Sequence, residues 1–311
     1  MENKIYATGI DYYDNVIQFE VIDGFLDCSK QGLTSLQLVE GIKNVNCSNN
    51  EIVSLILVEG IEYVDCSNNY LQELVLVEGI IKLDCSNNKL TTIDLVKSIN
   101  YLHCSSNRLT ELTLVEGIKY INCQYNRLTN LILVKGNEYI NCYGNRLTEL
   151  ILVEGIKTLN CYRNNLINLI LVEGIRYIDC SNNQLTSLDL IENIIKLDCS
   201  KNNLITLNLA KGIKELDCSH NQLKELILIE RIRKLDCSHN NFVNSKKYFK
   251  NPKTNNVIIF QDGLYSCGYL CLRLKRTFEY EYSEEGKEKV FKHFNKKDDL
   301  FKSLLNKFNK I

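Results

Sequence analysis

The chain has 311 residues, 45% of them hydrophobic, with one proline, no tryptophan and a net charge of −1. That content can fill a core, yet no stretch approaches the roughly twenty apolar residues a membrane-spanning helix needs. The charge is divided: residues 242–311 carry fifteen Lys or Arg against eight Asp or Glu. The acidic remainder argues against nucleic-acid binding along most of the chain.

The first residues, Met1 to Tyr6, lack the basic segment and apolar run of a signal peptide, and the many cysteines, read below as free thiols, favour a reducing, intracellular compartment. Residues 1–24 read as an N-terminal cap. Within them Ile17-Gln18-Phe19-Glu20-Val21 alternates apolar and polar residues, a pattern suited to covering an exposed core end. They are too few for a separate enzymatic domain.

A cysteine then recurs every nineteen residues, twelve times, from Cys28 through Cys47, Cys66, Cys85, Cys104, Cys123, Cys142, Cys161, Cys180, Cys199 and Cys218 to Cys237. Identical intervals require one short unit stacked on itself. In the unit from Ile61 to Gly79, Val64 and Cys66 alternate with Tyr63, Asp65 and Ser67, the period of a half-buried strand. Cysteine acts there as a small hydrophobe in a narrow coil. Stacked coils about 4.7–4.9 Å apart hold equivalent side chains parallel, which suits free thiols and not disulfides, whose Cβ atoms approach to about 3.5–4.5 Å. The asparagine three residues after each cysteine, Asn50 to Asn240, is placed to bond backbone groups of the adjacent coil; Gln31 replaces it in the first coil. The second half, as in Leu71 to Leu76, predicts a short strand or extended segment, followed by a Val-Glu-Gly turn (Gly60, Gly79, Gly117, Gly155, Gly174, Gly212). Twelve such coils make a sheet on the order of 55 Å long.

The positions Ile61, Val64, Cys66, Asn69 and Leu71 match the pattern L-x-x-L-x-L-x-x-N-x-L, and the pattern runs through twelve coils, with Gln31 departing in the first. The chain therefore resembles the leucine-rich-repeat family over residues 25–242, with a unit one residue shorter than usual and cysteine in place of the middle leucine. The resemblance implies a β-rich solenoid of about twelve coils, a parallel sheet on the working face and an extended or short-strand convex side. In composition it also resembles leucine-rich-repeat proteins of giant amoeba-infecting DNA viruses, which implies host cytoplasm or the virion as its location.

In that family function sits on the exposed positions of the first strand. The residue before the cysteine is Asp or Asn in eleven of twelve coils. Asp179, Asp198, Asp217 and Asp236 stand there one coil apart. They read either as solvated charge balanced by Lys196, Lys214, Arg233 and Lys234, or as an acidic stripe for a basic partner, the chain's own tail included. A cation site fits less well, because equivalent carboxylates point the same way. In the middle coils the usual serine gives way to Gln124-Tyr125, Tyr143-Gly144 and Tyr162-Arg163. Tyr101, Tyr120, Tyr139 and Tyr177 stand two residues before the aspartate column. Arg108, Arg127 and Arg146 hold a rim beyond the asparagines. Tyrosine with arginine is the composition of interface hot spots; stacked tyrosines also stabilise a sheet by themselves. His220 and His239 fall one coil apart, but the neighbouring cysteines face the core, so the pair reads as incidental. His103 reads as a neutral replacement of the usual Asp or Asn.

Residues 243–311 read as a small, basic α+β cap. Asn244 to Asn256 is loop-like, Val257-Ile258-Ile259-Phe260 and Leu270 to Leu274 read as strands, and Leu300, Phe301, Leu304, Leu305 and Phe308 follow helical spacing behind Asp298. Cys267 and Cys271 form a CxxxC pair with no second pair to complete a zinc site. Some leucine-rich-repeat effectors carry a cysteine-dependent ubiquitin ligase after the repeats, but this tail is too short for one. The expectation is a non-catalytic protein-binding scaffold with no cofactor and no metal. A structural or virion-assembly component is the alternative, and an effector with cysteine chemistry in the tail the third reading.

Overall fold

The structure, a computed structural model, describes residues 4–227 and 232–242, and the backbone of two short strands beyond them. Two N-terminal strands, β1 (Ile5–Asp11) and β2 (Val16–Val21), form an antiparallel hairpin. Then β3 (Phe25–Asp27) opens the main sheet, and β4 (Leu33–Gln37) returns to pair antiparallel with β1. The hairpin thus pairs with the first coil. Ala7 is fully buried, and a Cβ on Gly9 would come within 2.8 Å of Leu33 and 2.9 Å of Phe19. A larger residue there would have to displace the ends of these two side chains.

From β5 (Asn44–Asn46) to β15 (Lys234–Asp236), three-residue strands repeat every nineteen residues. With β3 they make one twelve-stranded sheet, parallel and in register. The strands are short because a turn closes each end. On one side the Val-Glu-Gly turn places glycine at positive φ; at Gly212 (φ 110°) a Cβ would also meet the Asn193 Cα at 2.8 Å. On the other side the second residue after every cysteine adopts a left-handed conformation, from Lys30 (φ 58°) to His239 (φ 54°).

Inside, the ladders follow the pattern: Ile61, Val64, Cys66, Leu71 and Leu74 are buried, and so are their equivalents along the solenoid. The twelve thiols are buried and none is in a disulfide. Burial first, and then neighbouring thiols or aspartates in most coils, push up the titration of eleven of them, Cys28 to Cys218; Cys123 reaches about 12.

The asparagine ladder bonds as its spacing implied. Asn126 Oδ1 accepts the Leu109 N–H at 2.9 Å, and its Nδ2 donates to the carbonyls of Cys104 and Cys123 at 3.0 Å each. Asn50 accepts from Gln31 and Leu33 in the first coil. The convex segments are extended. Among the described residues their β pairing is the bridge between Gln37 and Ile56, and one backbone bond per coil, such as Lys89 N–H to the Leu71 carbonyl, joins them where they begin. Beyond the solenoid, β16 (Phe249–Lys250) pairs antiparallel with β17 (Val257–Ile258), the start of the strand expected there. The expected second strand, the helix behind Asp298, Cys267 and Cys271 lie outside the described residues.

Candidate functional face

The side chains around each buried cysteine stand in columns along the sheet. In the aspartate column the carboxylate is partly withdrawn from water and caps its own turn. Asp65 Oδ1 accepts the Ser67 N–H at 3.0 Å and its hydroxyl at 2.7 Å. Asp198 with Ser200 and Asp217 with Ser219 repeat the arrangement at the same distances. The stripe Asp179–Asp198–Asp217–Asp236 is continuous in register. Lys196, Lys214, Arg233 and Lys234 form no ion pair with it among the described residues. Burial, then crowding by neighbouring aspartates, raises the titration of Asp198 and Asp217, with the serine bonds opposing. An acid whose folded value is raised favours the fold below the ordinary carboxylate range and loses that benefit as pH rises through the raised value. At neutral pH these charges therefore cost stability. Asp217→Asn keeps the Oδ1 acceptor, as Asn46 does for Ser48, and should match or exceed the parent protein in a urea melt. Asp217→Ala should lose about 1 kcal/mol. Equal losses in both variants would show that the charge itself is needed.

Three coils depart from this scheme together. Where serine is replaced by Gln124, Tyr143 or Tyr162, the preceding column residue is Asn122, Asn141 or Asn160, each accepting the N–H two residues on. In the coil before them His103 takes the aspartate position, with Nδ1 2.9 Å from Asp84 Oδ2 and Nε2 2.8 Å from Ser105 Oγ. His103 thus bridges its own coil to the preceding one instead of being a neutral replacement. Four successive coils consequently carry no carboxylate in this column.

The tyrosines occupy three columns. Tyr101, Tyr120 and Tyr139 stack face to face, with centroids 4.1 and 4.5 Å apart; burial, followed by the bond to Tyr101, lifts Tyr120 to about 12. Tyr177 stands apart from them, because Thr158 takes the intervening position. Tyr143 and Tyr162 pack at 4.7 Å. Tyr125 comes from the left-handed column, leans against Tyr143 at 4.5 Å and shares a hydroxyl–hydroxyl bond with it. Gly144 makes this fit: a Cβ there would lie 3.2 Å from the Tyr125 ring. Arg163 follows in the same column. Arg108, Arg127 and Arg146 are exposed along the rim.

Sequence reasoning missed the left-handed column. Asparagine fills it in four coils, Asn49, Asn68, Asn87 and Asn182, because its short side chain tolerates that conformation. Tyr125 (φ 52°) and Arg163 (φ 53°) do not suit it. Lys30 (φ 58°) and Lys201 (φ 53°) carry the same cost in other coils, so what sets Tyr125 and Arg163 apart is their place beside the other replaced residues. The two histidines of this column, His220 and His239, stack at 4.0 Å. Among the described residues, no group of three or more potential ligands is placed to hold a metal.

No family model matches the sequence, and no curated protein matches it. Solved structures do. The functional domain of InlJ from Listeria monocytogenes, described as including a cysteine ladder, superposes with a TM-score of 0.60 at 24% identity over 73% of this chain. The chain spans about half of that domain, 52% of its length. YopM from Yersinia pestis, described as a leucine-rich effector protein, gives a TM-score of 0.67 at 22% identity over 74% of this chain and 69% of its own. YopM from Yersinia enterocolitica gives 0.57 at 25%, over 72% and 60%. These likenesses and the repeat geometry agree: the fold is a parallel-sheet β-solenoid of the leucine-rich-repeat type.

Proposed function

We propose that the protein is a non-catalytic recognition scaffold that holds a protein partner on the strand-lined face around the coils of Cys104 to Cys161. The observation that carries this reading is the replacement, in the same coils, of the Asp-Cys-Ser-Asn scheme by tyrosine, asparagine and arginine, at a cost in backbone conformation. A solenoid seeking stability alone would keep asparagine at Tyr125. Free buried thiols suit a reducing compartment, and an intracellular setting is part of the proposal. The description of YopM as an effector fits a binding role.

Changing Tyr125, Tyr143 and Tyr162 together to serine removes one of the two aromatic clusters of this face and leaves the core columns untouched. The variant should melt within a few degrees of the parent while losing what the parent captures from lysate. Unchanged capture by a folded variant would remove the assignment of the face. Tyr125→Asn alone should gain about 0.5–1 kcal/mol, since it restores the residue that the left-handed column favours.

An assembly role has one observation in its favour. Ile132, Ile151 and Ile170 stand one coil apart on the convex side and are 69–76% exposed. Concentration-dependent oligomers in light scattering, abolished when these three become threonine like Thr113, would favour assembly over capture of a foreign partner.

A further inference from the structure

Resting on that recognition reading, we infer that the partner presents a short, extended acidic peptide segment to the middle of this face. The inference stands on where charge is and is not. Across the four coils of Cys104 to Cys161, the strand face and its two rims carry Arg108, Lys119, Arg127, Arg146, Lys157 and Arg163. Directly beside the strands the carboxylate described in these coils is Glu138, already paired with Lys157, while Glu116 and Glu154 stand back in the turns and Glu111 and Glu149 on the outward side of the arginine rim. None of the four arginines forms an ion pair with a described residue.

The neighbouring coils close this window on both sides. Asp65 and Asp84 precede it in the column, and Asp179, Asp198, Asp217 and Asp236 follow it. Inside it the column holds His103, Asn122, Asn141 and Asn160. An acidic segment is therefore attracted at the centre and repelled at either end, which sets its register as well as its charge.

The floor between the two cationic rims is aromatic and amide-rich. The Tyr101–Tyr120–Tyr139 stack runs along it beside Gln124, Tyr143 and Tyr162. Tyrosine hydroxyls and guanidinium groups both donate to carboxylates, and arginine does so in a paired fork. Four coils at about 4.8 Å span on the order of 14 Å, the length of four or five extended residues. A long uniform polyanion such as a nucleic acid would overrun the window onto the aspartate columns. A brief acidic stretch within an otherwise neutral chain would not.

The test uses the full chain and a fluorescein-labelled nonapeptide in which glutamate alternates with tyrosine between neutral ends, read by fluorescence anisotropy. The glutamate peptide should bind at least tenfold more tightly than its glutamine counterpart, and weaken in 0.5 M salt. The triple variant Arg127→Gln, Arg146→Gln, Arg163→Gln, checked for an unchanged melting curve, should lose at least tenfold in affinity. Equal binding of the two peptides would overturn the inference, as would indifference to the arginines. A thirty-base single strand that binds as tightly as the glutamate peptide would overturn it too, in favour of general polyanion binding. If the tyrosine variant loses a lysate partner while the parent ignores the glutamate peptide, recognition survives and the acidic chemistry falls. The chain itself contains Glu279, Glu281, Glu284 and Glu285. A rise in peptide affinity when these four become glutamine would support the acidic chemistry and assign its source to the chain's own tail.

Discussion

Above about pH 9 the solenoid should unfold within roughly one pH unit. Eleven of the ladder thiols, Cys28 to Cys218, are held above their ordinary titration range, chiefly by burial. The sign follows from linkage. A thiol raised in the folded state keeps its proton there, while the unfolded chain releases it near pH 8.5. The stability this confers is complete below the free-thiol value and drains away as pH climbs toward the folded value, about 12 for Cys123. Each thiol costs about 1.4 kcal/mol per pH unit in that window. Eleven acting together approach about 15 kcal/mol per unit, which exceeds the whole stability of an ordinary domain, about 5–15 kcal/mol. Circular dichroism from pH 7.5 to 10.5 in reducing buffer would follow the fold, and thiolate absorbance near 240 nm the ionisation. The two should change together. Thiolates appearing at the free-thiol midpoint with the dichroism intact would show that the interior admits water.

The second large effect is expected from one amide. In Asn126→Ala the Leu109 N–H loses its acceptor, and the carbonyls of Cys104 and Cys123 lose a donor. All of these groups are buried, and an unmet buried polar group costs about 1–3 kcal/mol. The total should be about 3–5 kcal/mol, placing this substitution among the severe ones. Asn126→Asp keeps the acceptor but sets a buried carboxylate oxygen against the same two carbonyls, and should lose at least as much. Since each coil touches only its neighbours, the damage separates the array into halves that melt apart. Two transitions in a urea titration, or one with a reduced slope, would show this. A single transition with an unchanged slope and midpoint would mean that the ladder contributes nothing to the coupling of the coils.

Much of this architecture was legible because a nineteen-residue spacing admits few solutions. Cys66 and Val64 could point only inward if Asp65 was to face water. The asparagine at position 69 had to repay buried backbone groups that so tight a coil leaves unpaired. Less legible was what a polar residue does once placed. Asp198 and Asp217 looked like a surface stripe, yet each caps the serine two positions on. The signal was present as Asp-Cys-Ser, but a short-range cap and a solvated charge look alike until distances separate them. The left-handed column escaped for another reason. Asparagine after serine suggests a turn, while the sign of φ depends on how the chain leaves the strand to reach the next coil. Tyr125 and Arg163 could be seen as a departure in composition, and only the backbone angle revealed that they also carry a conformational cost. Tyr177 looked like a member of the stack, and the single threonine at 158 sets it apart.

The asparagine clasps all reach the same way. Asn126 fastens groups of the coil that precedes it, as Asn69 fastens Ile52 and Cys47, and Asn240 fastens Leu223 and Cys218. In a chain synthesised from its N-terminus, each coil but the last of the described ones is thus locked by one that emerges later. Finished turns need no reopening as the next is laid down, and a whole coil can be added at the growing end without disturbing those behind it. The order of manufacture and the order of fastening coincide.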